Sequence, residues 1–265
     1  MLQRLLNTHP ALVVLGEHDG ALREIARAHA TLTAPALQGR IEEFRPPLAD
    51  MLASRPIPRA GEWTTEWTNA FTPESLDAAF RAFIAELILP ASLHPPGLRW
   101  WGFKEIRYGP PVAEFLHRLY PEARFLVLLR DPVATARSQL AQGWWMPERT
   151  PEQVAGLLHE DCARLHDLAA RLDALSFAED RCRLLDYGAL LAQPRAMLDG
   201  LAAWLGVPPF PAEKLAVVLG EAPNVAAPAM PLGRPGAEAC LAAYRDRFAA
   251  ADAAAWEALK RRAVA

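Results

Sequence analysis

The residue types and spacing best suited to chemistry lie in Phe125-Leu-Val-Leu-Leu-Arg130-Asp131-Pro132-Val-Ala-Thr-Ala-Arg137-Ser138. An apolar run ends in an arginine, and Asp131 and Pro132 then open a helix, the first as a side-chain cap and the second with φ preset for the first turn. Arg130 therefore stands at the carboxyl end of a predicted strand, where open α/β sheets bind ligands. Ser138, eight residues on, falls about two turns into the helix. A guanidinium supplies forked, charged donors and a hydroxyl fixes orientation; converging on one oxyanion, they make a phosphate clamp. An ordinary strand-to-helix joint with a surface arginine has the same spacing, so the pattern alone leaves both readings open.

Other candidate constellations are weaker. His159, Cys162 and His166 recur at spacings of three and four on one helix face and could be read as metal ligands. Leu158, Leu165 and Ala169 share that stretch, and packing accounts better for it. The chain has no spaced CxxC pair, no HExxH and no GxSxG, and it lacks the Gly-Lys-Ser/Thr of a nucleotide kinase.

Several elements must position these groups. Leu2, Leu5 and Leu6 give a short opening helix, and Leu12 to Leu15 a buried strand closed by Gly16. A helix is expected from about Gly20 to Ala30. Thr33 to Thr72, with Pro46-Pro47, Pro56, Pro58, Trp63 and Trp67, shows no sustained period and is expected to be a long loop. Thr72-Pro73-Glu74 opens a core-facing helix. Beyond it, strand Arg99 to Ile106, helix Val112 to Tyr120, interior strand Phe125 to Leu129 and the helix from Pro132 alternate. A long helix over Pro151 to Leu175, a strand over Cys182 to Leu185 and a helical stretch Leu190 to Leu205 complete the pattern. The expected fold class is α/β, a mostly parallel sheet flanked by helices, in one domain spanning 1–265.

Composition agrees with that class. Of the 265 residues 52% are hydrophobic, ample for a core, and the net charge of −3 arises from interspersed acids and bases. No basic stripe matches a nucleic-acid backbone. Three cysteines, Cys162, Cys182 and Cys240, argue against a disulfide framework and for a reducing, cytoplasmic setting. The stretch Phe83 to Leu93 is interrupted by Glu86 and Pro90 and is shorter than the ~20 residues a membrane span needs, and no signal peptide is expected.

Taken in order along the chain, these segments resemble the sulfotransferase family. The Arg130 to Ser138 stretch is similar to its 3′-phosphate-binding motif. Trp101-Gly-Phe-Lys104-Glu105-Ile-Arg107-Tyr108 is similar to the family's preceding segment, and Leu184-Leu-Asp186-Tyr187 through Trp204-Leu-Gly-Val207 to its later strand and helix. Leu2 to Pro10 with Gly16-Glu17 also fits. The likeness runs from about Met1 to Pro208. In the family a strand and a Pro-Arg-Ser-Gly-Thr-Thr loop precede the counterpart of Leu2 and bind a 5′-phosphosulfate, so the resemblance implies a P-loop NTPase-like sulfotransferase fold lacking its first strand and loop.

The resemblance further implies transfer of a sulfuryl group from 3′-phosphoadenosine 5′-phosphosulfate (PAPS), without a metal, to a hydroxyl or amine of a small-molecule or peptide acceptor. Arg130, Ser138 and Tyr187 would bind the cofactor. Lys104 would steady the leaving phosphate, and Glu17 would be the base, with His18 as the alternative because other branches use histidine. Glu105, Arg107 and Tyr108 are expected to form structural pairs or shape the acceptor site. Trp63, Trp67, Trp100, Trp101, Trp144 and Trp145 suit either an apolar acceptor pocket or core packing. A catalytically inactive nucleotide-binding relative is the alternative reading.

Overall fold

The computed structural model describes residues 1–54, 71–143, 148–172, 178–220 and 235–263. In chain order these form α1 (Leu2–Leu6), β1 (Leu12–Leu15), α2 (Ala21–Leu32), α3 (Pro35–Ser54), α4 (Pro73–Ile88), β2 (Trp100–Phe103), α5 (Pro110–Leu119), β3 (Phe125–Leu129) and α6 (Pro132–Gln142). They continue with α7 (Pro151–Leu172), α8 (Ala178–Arg181), β4 (Cys182–Asp186), α9 (Tyr187–Ala192), α10 (Pro194–Leu205), α11 (Ala212–Gly220), α12 (Ala237–Ala251) and α13 (Ala253–Arg262). The class is α/β, with short parallel strands among helices. The residues pack as two compact units, one of Met1–Val14, Gly97–Trp101 and Glu122–Ala265, the other of Leu15–Pro96 and Gly102–Pro121.

In the first unit β3 and β4 run parallel in register from Phe125↔Cys182 to Leu129↔Asp186. Among the described residues β3 pairs with β4 alone, so it is not the interior strand expected; the strands form two two-stranded sheets, β1 with β2 and β3 with β4. Each strand of the second pair runs into an aspartate-capped helix: Asp131 Oδ1 accepts the Ala134 N–H at 2.6 Å, and Asp186 Oδ1 the Ala189 N–H at 2.6 Å. Gly143 and Gly206, at φ 75° and 66°, close α6 and α10 in the left-handed conformation that glycine adopts without steric cost.

Two apolar clusters hold this unit. Leu5, Leu12, Leu185, Leu190, Leu198 and Phe210 bring α1, β1, β4, α9 and α10 together. His9 ties the N-terminal stretch to this cluster: Nδ1 accepts the Ala11 N–H at 3.1 Å and Nε2 lies 2.9 Å from the Pro208 carbonyl, so the ring carries its proton on Nε2. Ala136 and Leu140 of α6, Val154 and Leu158 of α7, and Leu241 and Tyr244 of α12 form the second.

In the other unit α2, α4 and α5 pack together. Thr72 caps α4 reciprocally, its Oγ1 accepting the Ser75 N–H at 3.1 Å while Ser75 Oγ accepts the Thr72 N–H at 2.8 Å. Buried His29 meets Asp77 at 2.6 Å, and Arg118 donates to the same carboxylate at 3.0 Å, linking the three helices.

The expected loop over 33–72 is corrected across its first half, which is α3. Leu37, Ile41, Leu48 and Leu52 recur at helical spacing, and Ile41 is buried, but Pro46-Pro47 hides the period because neither has an N–H to donate. Residues 55–70, with Trp63 and Trp67, and Trp144 and Trp145 lie outside the described residues. The strand expected over Arg99 to Ile106 is shorter: Lys104 to Tyr108 leave it after Phe103. Among the described residues no helix is long and apolar enough to cross a membrane.

Candidate functional site

The two pairs of strands each carry a group of candidate residues, one in each unit. The Leu15 carbonyl accepts the Lys104 N–H at 3.0 Å, so the loops leaving β1 and β2 start side by side. That pairing brings together residues nearly ninety positions apart in sequence. Lys104 Nζ donates to Glu17 Oε1, and Arg107 Nη1 donates to Glu17 Oε2 at 3.2 Å. Arg107 also reaches Asp19 at 3.4 Å. Glu17, Lys104 and Arg107 remain 30%, 47% and 36% exposed, open to a ligand.

Beneath them lies Glu105, whose side chain is only 1% exposed. Its Oε1 accepts the Ile106 N–H at 2.8 Å, the Arg107 N–H at 3.2 Å and Arg107 Nη1 at 2.9 Å, while Oε2 accepts the Gly20 N–H at 2.9 Å. Burial alone would raise its pKa, but the Ile106 and Gly20 amides and the Arg107 guanidinium outweigh that and hold it below the ordinary carboxylate value. This carboxylate turns the chain sharply after β2, which explains the short strand. It also grips the loop after β1, where Asp19 and Gly20 have φ of 55° and 77°. The left-handed pair aims the Gly20 N–H at Glu105, and a side chain at Gly20 would be strained there.

Tyr108 braces the same loop by accepting the Leu22 N–H at 3.0 Å. Burial, aided by nearby Glu105, pushes its hydroxyl pKa up to about 12. His18 stacks edge-on against Phe103 and Tyr108, with ring centroids 4.6 and 5.8 Å away, and its Nε2 is buried with no hydrogen-bond partner among the described residues.

In the other unit the register of β3 and β4 sets Arg130, after Leu129, beside Tyr187, after Asp186. The Arg130 guanidinium lies over the Tyr187 ring at 5.2 Å, a cation–π contact that fixes an otherwise exposed side chain. Ser138 is half-buried in α6, on the same side of the helix as Asp131 and about 10 Å further along its axis. Its neighbour Arg137 approaches Glu238 of α12 at 3.9 Å.

Trp100 packs rather than lining an open pocket: its Nε1 donates to the Leu205 carbonyl at 2.9 Å, and Arg124 lies 5.2 Å over its ring and 4.8 Å over that of Trp204. His159 Nδ1 pairs with Asp252 at 2.6 Å. Burial pushes the neighbouring Cys162 thiol up to about 11, and among the described residues no group of three or more acidic, histidine or cysteine side chains could hold a metal ion.

A sequence model described as the sulfotransferase family matches residues 1–212. The chain belongs to this family. It is 33% identical over 112 residues to the nodulation protein NoeE of Sinorhizobium fredii (strain NBRC 101917 / NGR234), an alignment covering 37% of this chain and 26% of the relative. The chain thus spans about a quarter of that protein's length. The family match takes in β1 to α10, and with them both groups of candidate residues. Sequence reasoning singled out Glu17, His18, Lys104, Arg130, Ser138 and Tyr187, and expected Glu105, Arg107 and Tyr108 to form structural pairs or shape the acceptor site. It did not find Asp19, nor the reach of Arg107 to Glu17, which depends on strand pairing that no local pattern encodes.

Proposed function

We propose that the protein transfers a sulfuryl group from PAPS to an acceptor hydroxyl or amine. The observation that carries this reading is the contact between Glu17 and Lys104, which brings a carboxylate and an ammonium to one place; an in-line sulfuryl transfer needs a base at the attacking atom and a cation at the leaving oxygen across the same sulfur. As the acceptor oxygen or nitrogen bonds to sulfur, its proton passes to Glu17. The bond from sulfur to the bridging phosphate oxygen breaks, and Lys104 neutralises the charge that develops there. Adenosine 3′,5′-bisphosphate leaves. Arg130, steadied by Tyr187, and Ser138 hold the 3′-phosphate. Exposure favours Glu17 over His18 as base, since the Nε2 of His18 is buried against Phe103 and Tyr108.

The test is release of adenosine 3′,5′-bisphosphate from PAPS with and without a panel of phenolic, sugar and peptide acceptors. Acceptor-dependent release is expected. Binding of the bisphosphate with no release from PAPS in the presence of any acceptor would replace this reading by that of an inactive nucleotide-binding relative. Arg130→Ala is expected to weaken adenosine 3′,5′-bisphosphate about tenfold or more, a charge-assisted bond being worth roughly 1.5–3 kcal/mol, and to leave adenosine 5′-phosphate nearly unchanged. Titration calorimetry with both nucleotides measures the difference, and equal losses would remove the 3′-phosphate from Arg130.

A further inference from the structure

Each oxygen of the Glu17 carboxylate has its own cation: Oε1 takes Lys104, and Oε2 takes Arg107 at 3.2 Å. The two cations are not equivalent. Lys104 sits on a flexible stem, 47% exposed, with Glu17 as its ion-pair partner. Arg107 is anchored from below, because its Nη1 also donates to the buried Glu105 carboxylate at 2.9 Å and its Nη2 lies 3.4 Å from Asp19. Glu105 in turn is fixed by three backbone amides from both loops. One cation of the pair is therefore free to move and the other is not.

An ammonium engaged on Glu17 cannot at the same time meet the phosphate oxygen of a departing nucleotide. We propose that Arg107 is a positioning residue, holding the Glu17 carboxylate in place so that Lys104 can leave it for the sulfuryl donor. This rests on the roles given above to Glu17 and Lys104. In the ligand-free protein the ion pair keeps the cation parked beside its site. When the donor's phosphate competes for the ammonium, Glu17 retains one charged partner and its orientation. Without Arg107, Lys104 would be the one cation on Glu17 among the described residues, and the base would lose its place whenever the lysine moved.

The handover is tested first without any transfer reaction. An amine-acylating ester is applied to the ligand-free protein, and modification of Lys104 is followed by peptide mass spectrometry. Arg107→Ala removes the second cation that the described residues give Glu17, so acylation of Lys104 should slow about threefold or more; Glu17→Gln should speed it, and the double variant should match Glu17→Gln. If Arg107→Ala does not fold, Arg107→Lys carries the same test, since one ammonium cannot span Glu105, Asp19 and Glu17 together, and the same slowing is expected. Unchanged Lys104 labelling in the folded variant overturns the proposal. The second arm is turnover: Arg107→Ala should lower kcat about tenfold or more while adenosine 3′,5′-bisphosphate binding stays within about twofold. A variant with wild-type kcat also overturns it. A wild-type protein that transfers to no acceptor sinks the proposed function instead, and the labelling arm still decides whether Arg107 shares Glu17.

Discussion

Glu17→Gln is expected to lower kcat by about two to four orders of magnitude, the usual worth of a positioned general base. The amide has the size of the carboxylate and keeps one acceptor oxygen for Lys104 or Arg107, so the loop after β1 should retain its course. What it loses is the capacity to take the acceptor's proton. If Glu17 and Arg130 have the separate roles proposed for them, adenosine 3′,5′-bisphosphate should bind the variant as it binds the wild type. The steady-state rate of bisphosphate release under saturating acceptor measures the effect. A variant keeping more than about a tenth of wild-type turnover would take the base role from Glu17, and His18→Asn in the same assay would show whether the imidazole holds it.

Glu105→Ala is expected to cost about 3 kcal/mol of folding stability at neutral pH, near the lower bound for severing a buried ion pair because Arg107 is partly exposed. The change strands the Gly20, Ile106 and Arg107 amides and the guanidinium at once. For a chain of this size the melting temperature should fall by on the order of 10 °C. The effect has a pH signature. The folded-state pKa of Glu105 is depressed below its unfolded value. Its contribution is therefore present above the unfolded value, near 4.5, and is lost as pH falls through the folded one. Melting curves of wild type and variant should converge as the solution is acidified below about pH 4. A gap that stays constant from pH 7 to pH 3 would show that packing, not the ionised carboxylate, accounts for the loss.

Much of this was legible because the informative signals are local. Asp131-Pro132 and Thr72-Pro73 announce their helices within four residues, and the structure places both caps as read. The apolar run Phe125 to Leu129 is a strand with the same bounds. Local rules failed where one signal masked another: Pro46-Pro47 argued for a loop, while the spacing of Leu37, Ile41, Leu48 and Leu52 carried the helix. They failed again after Phe103, where the apolar pattern runs on to Ile106 but the Glu105 carboxylate gathers backbone amides into a turn and ends the strand. At the candidate site, the family resemblance singled out Glu17 and Lys104 separately. Their contact, and the anchoring of Arg107 beneath them, follow from β1 lying next to β2, a long-range pairing for which the sequence has no marker.

The match to the family ends at residue 212, yet the helix bearing Ser138 does not finish its packing there. Ala136 and Leu140 on α6 are closed over by Leu241 and Tyr244 of α12. The smallest portable piece of the Arg130 to Ser138 segment is therefore larger than the segment itself. Grafting Arg130 through Ser138 into another scaffold, or exchanging domains between relatives at the family boundary, would leave an oily strip of α6 and α7 facing water, an invitation to self-association. The distal helix must travel with the segment, or be replaced by something of the same shape.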